Sequence, residues 1–301
     1  MFKQIVVVDN TGMHDWAIER LGELSEKPVK IFNDFPLNKA EIIHRIEDAD
    51  GVFVSYKTRL GSEILAKCSR LKYIGMCCSL ISSKSANVDV DFAHEKGMTV
   101  TGIRDYGDEG LVEFIVSELI RLLKGLGKLQ WKSEPVELTK RKIGIIGLGT
   151  TGKMLADRLQ AFGAEIHYFS RTRKPEAEQE GIQYLPLNQL LATSEIVSLH
   201  LPRNTELLKK AEFENLGSGK ILVNTSLGLT FSKSAFENWI SDKQNFAIFD
   251  GDGIGGFKKE FDKYENVIST EMVSGRTKEA YARLSQKVIA NVDQFIINYE
   301  G

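Results

Sequence analysis

Residues 143–152 read Ile-Gly-Ile-Ile-Gly-Leu-Gly-Thr-Thr-Gly. The apolar run Lys142–Ile146 ends in a turn of glycines and passes into a helical pattern with apolar residues at Met154, Leu155, Leu159 and Phe162. Strand, glycine turn and helix in that order make the phosphate-binding turn of a dinucleotide fold. With no side chain at Gly147, Gly149 and Gly152, a pyrophosphate can approach the helix N-terminus. Unpaired N–H groups and the helix dipole favour negative charge there. Thr150 and Thr151 add hydroxyls to the same turn. Without a ligand the pattern would be only a helix cap, but a second apolar run, Ala164–Phe169, supplies the rest of the βαβ context.

That second run ends about 20 residues past the glycines, where binders of unphosphorylated dinucleotides place an acidic residue on the ribose 2′-hydroxyl. Here the chain reads Ser170-Arg171-Thr172-Arg173-Lys174. A carboxylate would repel a 2′-phosphate, whereas a guanidinium pairs with it. Ser170, Arg171 and Thr172 are therefore the expected 2′-phosphate ligands. NADP(H) is the preferred cofactor, with NAD(H) as the alternative. The same run would also serve as a plain solvated surface.

Outward from this turn, strand-like and helical patterns alternate along the chain. Before it come strands at 5–8, 29–32, 51–55, 71–76 and 98–101, separated by helical periods at 16–24, 39–46, 61–68 and 90–96. A longer helix over about 109–124 is apolar around most of its circumference, which predicts burial, here between domains. Gly125 and Gly127 end it, and an irregular stretch at 130–138 holds Pro135. Strands at 142–146, 164–169, 196–201, 220–224, 246–249 and 267–269 follow, and a terminal helix spans 278–298. Repeated βα units predict an α/β fold of two doubly wound parallel sheets.

The bulk numbers narrow the function classes. A chain of 301 residues can hold two domains, and a net charge of −2 argues against a nucleic-acid binder. No segment has the apolar length of a membrane span, and the N-terminus lacks a signal-peptide pattern. Cys68, Cys77 and Cys78 are an odd set without framework spacing, which suits buried thiols in a reducing cytoplasm. No His or Cys stands at ligand spacing from Cys77-Cys78, so no metal site is expected.

Motifs along nearly the whole chain carry a resemblance. Leu71-Lys72-Tyr73-Ile74-Gly75, Asn87-Val88-Asp89, Gly97-Met98-Thr99-Val100-Thr101 and Glu113 form its first part. Ile143 to Ala156, Arg158-Leu159, Ala161-Phe162-Gly163 and Val197-Ser198-Leu199-His200-Leu201-Pro202 form its centre. Leu222-Val223-Asn224-Thr225, Gly228, Asp250, Gly275, Thr277 and Glu279-Ala280 close it. Together they resemble the D-isomer-specific 2-hydroxyacid dehydrogenases. The resemblance implies a flavodoxin-like substrate domain at 1–103 with 277–301, a Rossmann NAD(P)-binding domain at 104–276, a cleft between them, and a homodimer. It also implies that His200, Leu201 and Pro202, with Thr225, Ser226 and Leu227, line the cofactor, and that Asp250 meets its carboxamide.

The family's catalytic side chains do not carry over. The arginine that grips the substrate carboxylate corresponds to Leu227, the histidine that exchanges the proton to Met272, and the glutamate that orients it to Gly255. Leucine cannot pair bidentately with a carboxylate, and methionine has no titratable proton. Candidate replacements are Tyr56, Lys57, Arg104, Glu271 and Arg276, with Tyr106 and Asp252 nearby in the pattern. The other histidines, His14, His44, His94 and His167, fall on predicted helices or strands away from these landmarks. The expectation is an NADPH-preferring oxidoreductase acting on a carbonyl or CH–OH group of a non-standard substrate, through a remodelled active site. The alternative is a catalytically inactive NADP(H)-binding sensor or scaffold.

Overall fold

Runs of apolar residues buried on both faces mark the central strands of a parallel sheet, because helices cover each side. A computed structural model describes residues 1–300, and it divides into two such units, residues 1–106 with 277–300 and residues 107–276.

The first unit holds β1 (Ile5–Val7), β2 (Lys30–Ile31), β3 (Gly51–Val54), β4 (Tyr73–Ser79) and β5 (Thr99–Ile103). They pair in parallel in the order β2-β1-β3-β4-β5, the flavodoxin-like winding. Every residue of β1 and β3 is buried, while the edge strand β2 is exposed. The terminal helix, Lys278–Glu300, belongs to this unit because Leu284, Val288 and Val292 complete a core with Phe2, Ile5, Val7 and Tyr73.

The second unit holds β6 (Lys142–Ile146), β7 (Glu165–Phe169), β8 (Gln183–Tyr184), β9 (Ile196–Leu199), β10 (Ile221–Asn224), β11 (Phe246–Phe249) and β12 (Val267–Ser269). Its seven parallel strands run β12-β11-β10-β9-β6-β7-β8, the dinucleotide-binding order with one strand added at β12. The winding reverses between β6 and β9, and such open sheets take ligands outside the carboxyl ends of the strands at that point.

The structure corrects several sequence expectations. The helix over 61–68 contracts to Ser62–Leu65, and the strand over 71–76 shifts to Tyr73–Ser79. The long helix, Asp108–Lys124, packs Val112, Ile115, Leu119, Leu122 and Leu123 into the core of the second unit. Strand β8 was not read from the pattern, since its two residues lie at an edge and carry no apolar run.

Candidate nucleotide site and the loops beside it

The glycine turn follows β6, and its three glycines do three different jobs. Gly147 has φ +95°, and a Cβ there would lie 2.1 Å from the His200 carbonyl oxygen, so the turn abuts the end of β9. A Cβ on Gly152 would lie 2.2 Å from the Gly147 carbonyl oxygen, which lets the helix Thr150–Ala161 seat on its strand. Gly149 faces open space, with no atom within 4 Å of a Cβ. It begins the helix without a side-chain cap, leaving the first-turn N–H groups without that partner. A pyrophosphate needs this arrangement, namely a tight turn, an open approach and uncapped donors. Thr150 is exposed there, whereas the Thr151 hydroxyl is donated to Asp108 Oδ1.

The residues after β7 are sorted by their contacts. Ser170 Oγ accepts the Leu148 N–H at 2.9 Å, so Ser170 braces the glycine turn in addition to any ligand contact. Arg171 and Thr172 are exposed, and Arg171 has no hydrogen-bond or ionic partner among the described residues. Arg173 instead donates to Glu178, with Nε 3.0 Å from Oε1, and stacks on Tyr184.

The loops after β9, β10 and β11 are laced together. Ser226 Oγ donates to Leu199 O and accepts from Leu201 N–H. Asn224 is fully buried; its Nδ2 donates to the carbonyls of Gly228 and Gly253, and its Oδ1 accepts from the Ser226 N–H and the Thr230 hydroxyl. Thr225 Oγ1 lies buried with no partner among the described residues. His200 Nε2 is 2.9 Å from Ser198 Oγ, and burial pushes its pKa down to about 4, so it is neutral at pH 7.

Asp250 has internal partners. It is 1% exposed; Oδ1 accepts the Gly253 N–H at 2.8 Å, and Oδ2 accepts the N–H and hydroxyl of Ser274 at 3.0 and 2.8 Å. Burial raises its pKa against these bonds. The carboxylate ties two loops together.

Leu227, Gly255 and Met272 come from three loops that backbone bonds hold side by side. Gly228 N–H donates to Asp252 O at 3.0 Å, and Gly251 N–H donates to Met272 O at 2.8 Å. Gly255 lies against Gly228 and Leu229, whose backbone atoms would be 3.2–3.3 Å from a Cβ. Leu227 is 39% and Met272 73% exposed, so both apolar side chains are offered outward. Glu271 is exposed on the same segment. Arg276 is partly buried, and its N–H closes a turn onto Val273 O.

The remaining candidates belong to the first unit. Arg104 donates Nε to Leu80 O and Nη2 to Ile81 O, so it holds the loop after β4. Tyr56 and Lys57 ride a turn after β3 that three side chains brace. Asp9, fully buried, accepts from the N–H and hydroxyl of Ser55; Ser55 Oγ accepts from Lys57 N–H; and Asn87 donates to Ser55 O and Thr58 O. Nothing local in the sequence marks Asp9 or Asn87 for this task. Lys57 Nζ lies 4.9 Å from the Phe35 ring centroid. Tyr106 offers its carbonyl to Arg283. His44 is an exposed helix residue beside Glu47, and His167 is a partly buried strand residue. No cluster of metal-ligating side chains occurs among the described residues, and no helix there is long and apolar enough to cross a membrane.

Comparison with known proteins agrees with this geometry. Residues 116–251 match the family described as D-isomer specific 2-hydroxyacid dehydrogenase, NAD binding domain. A hydroxypyruvate reductase of Blautia hydrogenotrophica is 28% identical over an alignment 320 positions long, covering 97% of each chain. An acyclic imino acid reductase in complex with NADPH and D-Arg superposes with a TM-score of 0.80 at 22% identity, covering 98% of this chain and 97% of that one. The NAD+-bound 3-phosphoglycerate dehydrogenase of Entamoeba histolytica superposes with a TM-score of 0.79 at 19% identity, covering 99% and 96%. Parallel winding, glycine turn and sequence match thus converge: residues 116–251 match the NAD-binding domain of the D-isomer-specific 2-hydroxyacid dehydrogenases, and the chain as a whole is similar to reductases and dehydrogenases of that fold.

Proposed function

We propose that this chain is an NADPH-preferring oxidoreductase with a remodelled active site, whose acceptor is a carbonyl compound not held through a 2-oxo acid carboxylate. The observation that carries the reading is the assembly of Leu227, Gly255 and Met272 by backbone bonds. These loops are as tightly built as those of the glycine turn, yet Leu227 and Met272 offer no bidentate donor and no titratable proton. Apolar contact with the acceptor replaces the ionic grip.

The first unit serves as the substrate domain and the second as the nucleotide domain. Gly147, Gly149, Thr150, Thr151 and Gly152 take the pyrophosphate. Arg171 pairs with the 2′-phosphate, Thr172 adds a hydroxyl, and Ser170 holds the turn in place. Residues 200–202 and 225–227 line the rest of the dinucleotide. A bound reduced nicotinamide supplies the hydride. Among this chain's residues, Glu271 and the braced Tyr56–Lys57 turn are the groups to supply the proton or grip a charge. The apolar groove of Val116, Ile120, Ala161 and Phe162, about 380 Å³ in volume, supports a homodimer through the second unit.

The test is NADPH oxidation by the purified protein with aldehydes and imines, set against glyoxylate and hydroxypyruvate. Turnover is expected on the uncharged acceptors. Brisk reduction of glyoxylate or hydroxypyruvate would overturn the remodelled-site reading. Tight NADPH binding with no turnover on any acceptor would select the sensor or scaffold instead, for which the uncharged His200 and the absence of a titratable group at position 272 would account.

A further inference from the structure

We infer that Tyr168, Glu178 and Arg173 form a positioning clamp that sets selectivity for a 2′-phosphorylated over an unphosphorylated dinucleotide. The inference rests on the reading of Arg171 as the 2′-phosphate ligand. The segment after β7 carries three cations, Arg171, Arg173 and Lys174. Three loose cations would attract both cofactors, NADPH more strongly through its extra charge, but would offer no fixed pairing geometry at the 2′-phosphate and would be weakened by salt. The structure separates their roles. Arg173 is committed through Nε and Nη2 to Glu178, and its guanidinium lies 5.0 Å from the Tyr184 ring centroid. Tyr168 is fully buried, and its phenol makes two bonds, donating to Glu178 Oε1 at 2.7 Å and accepting the Lys174 N–H at 2.6 Å.

These contacts pin the far end of the segment. The near end is pinned by Gly147 N–H donating to Phe169 O at 2.8 Å and by Ser170 Oγ accepting from Leu148 N–H. Arg171 and Thr172 are left as the exposed crest between two fixed ends. With the backbone fixed on both sides, Arg171 has only side-chain freedom to lose on pairing with a phosphate, and that gain exists only for a ligand with a phosphate there. The clamp therefore bears on NADPH and leaves NADH almost untouched. Tyr168, Glu178 and Arg173 act through Arg171 and do not touch the cofactor.

The experiment measures Kd for NADPH and NADH by cofactor fluorescence in wild type, Y168F, R173Q, the Y168F/R173Q double variant and R171A, with melting temperatures to show that each variant is folded. Phenylalanine keeps the buried ring, so the core survives while both phenol bonds go. Y168F and R173Q are each expected to weaken NADPH about 5–10-fold and NADH less than about 2-fold, and the double variant is expected to lose no more than either single one, because both break one clamp. Equal losses for the two cofactors, an unchanged NADPH/NADH ratio, or a double variant whose losses multiply would overturn the clamp; the last would make Arg173 a phosphate ligand in its own right. R171A separates the layers. If it leaves the ratio unmoved, the 2′-phosphate reading itself fails. If it abolishes the preference while Y168F and R173Q do not shift it, only the clamp falls.

Discussion

Two parts of the second unit are built with equal care and offer opposite chemistry. At the glycine turn, close approach of backbone to backbone leaves an open, uncapped helix end for an anion. Around Leu227, Gly255 and Met272 the backbone is just as close: a Cβ on Gly253 would lie 2.1 Å from Asn224 O, and one on Gly251 would lie 2.5 Å from Glu271 O. Two polar side chains, Asn224 and Asp250, are buried to hold these loops, and burying polar groups is costly unless every bond is made. The difference between the two regions is therefore one of the side chains presented, and the scaffold beneath them is equally strict.

The strongest way to break this comparison is to fill the glycines. G152A sets a methyl against the Gly147 carbonyl, where only backbone could give way. It should cost about 3 kcal/mol or more in urea unfolding and abolish cofactor binding. G149A meets no neighbour, so its stability should change by less than about 0.5 kcal/mol. Its methyl still enters the pyrophosphate approach, and both NADPH and NADH should weaken about 10-fold or more by fluorescence titration. Unchanged affinity in G149A would remove the pyrophosphate from this turn.

Next in size is R171A, a test of which dinucleotide the open end takes. Loss of a charge-assisted pair with a phosphate should raise the NADPH Kd about 100-fold, or about 2.7 kcal/mol, with NADH shifting less than about 2-fold. The NADPH affinity of wild type should also fall with added salt more steeply than that of the variant. Parallel losses for both cofactors would show that Arg171 contributes only to a general positive field.

Much of this was legible in the residue order. Contiguous apolar runs such as Ile221–Val223 and Phe246–Phe249 announced buried parallel strands, and the spacing of Gly147, Gly149 and Gly152 announced their separate tasks. What the order did not reveal is which oxygen each polar side chain reaches. Ser170 reads as a phosphate ligand but also serves Leu148; Asp250 reads as a cofactor contact but is closed onto Gly253 and Ser274; Arg104 reads as an anion grip but is spent on Leu80 and Ile81. Tyr168 reads as one more strand aromatic. Periodicity reports the class of backbone, whereas these bonds join segments far apart in sequence whose meeting depends on the completed fold.

A smaller effect comes from His200, which lies at the end of β9 where Gly147 packs. Its pKa is about 4 in the fold and about 6.5 in an unfolded chain. The unfolded state therefore takes up a proton first as pH falls. The contribution of the neutral imidazole is fully present above about pH 6.5 and is lost as pH drops toward 4, reaching about 2 kcal/mol by pH 5. H200N should flatten this decline when urea midpoints at pH 7 and pH 5 are compared. An undiminished decline in the variant would place the acid sensitivity elsewhere, Asp250 being excluded because its raised pKa acts in the opposite sense, favouring the fold as pH falls.

The smallest expected change tests whether the loop at Gly255–Gly256 requires its glycines as strictly as the turn at Gly147–Gly152 does. Gly255 has φ +62° and Gly256 φ +84°, both in the left-handed region that costs an L-residue about 1–2 kcal/mol. Gly256 has open space around it, whereas a methyl on Gly255 would press on backbone atoms of Gly228 and Leu229 at 3.2–3.3 Å. G256A should thus lose about 1 kcal/mol from conformation alone, and G255A somewhat more, read as urea midpoints at constant m. The difference isolates the contact that holds the loop beside Leu227. A longer side chain, as in G255E, bears the same conformational cost and still faces a methionine at 272, where there is no imidazole to orient, so it should lose stability without gaining activity on glyoxylate. Should G255A and G256A prove as stable as wild type, the loop would be loose where the phosphate turn is strict, and the case for a rebuilt acceptor site over a decayed one would lose its structural support.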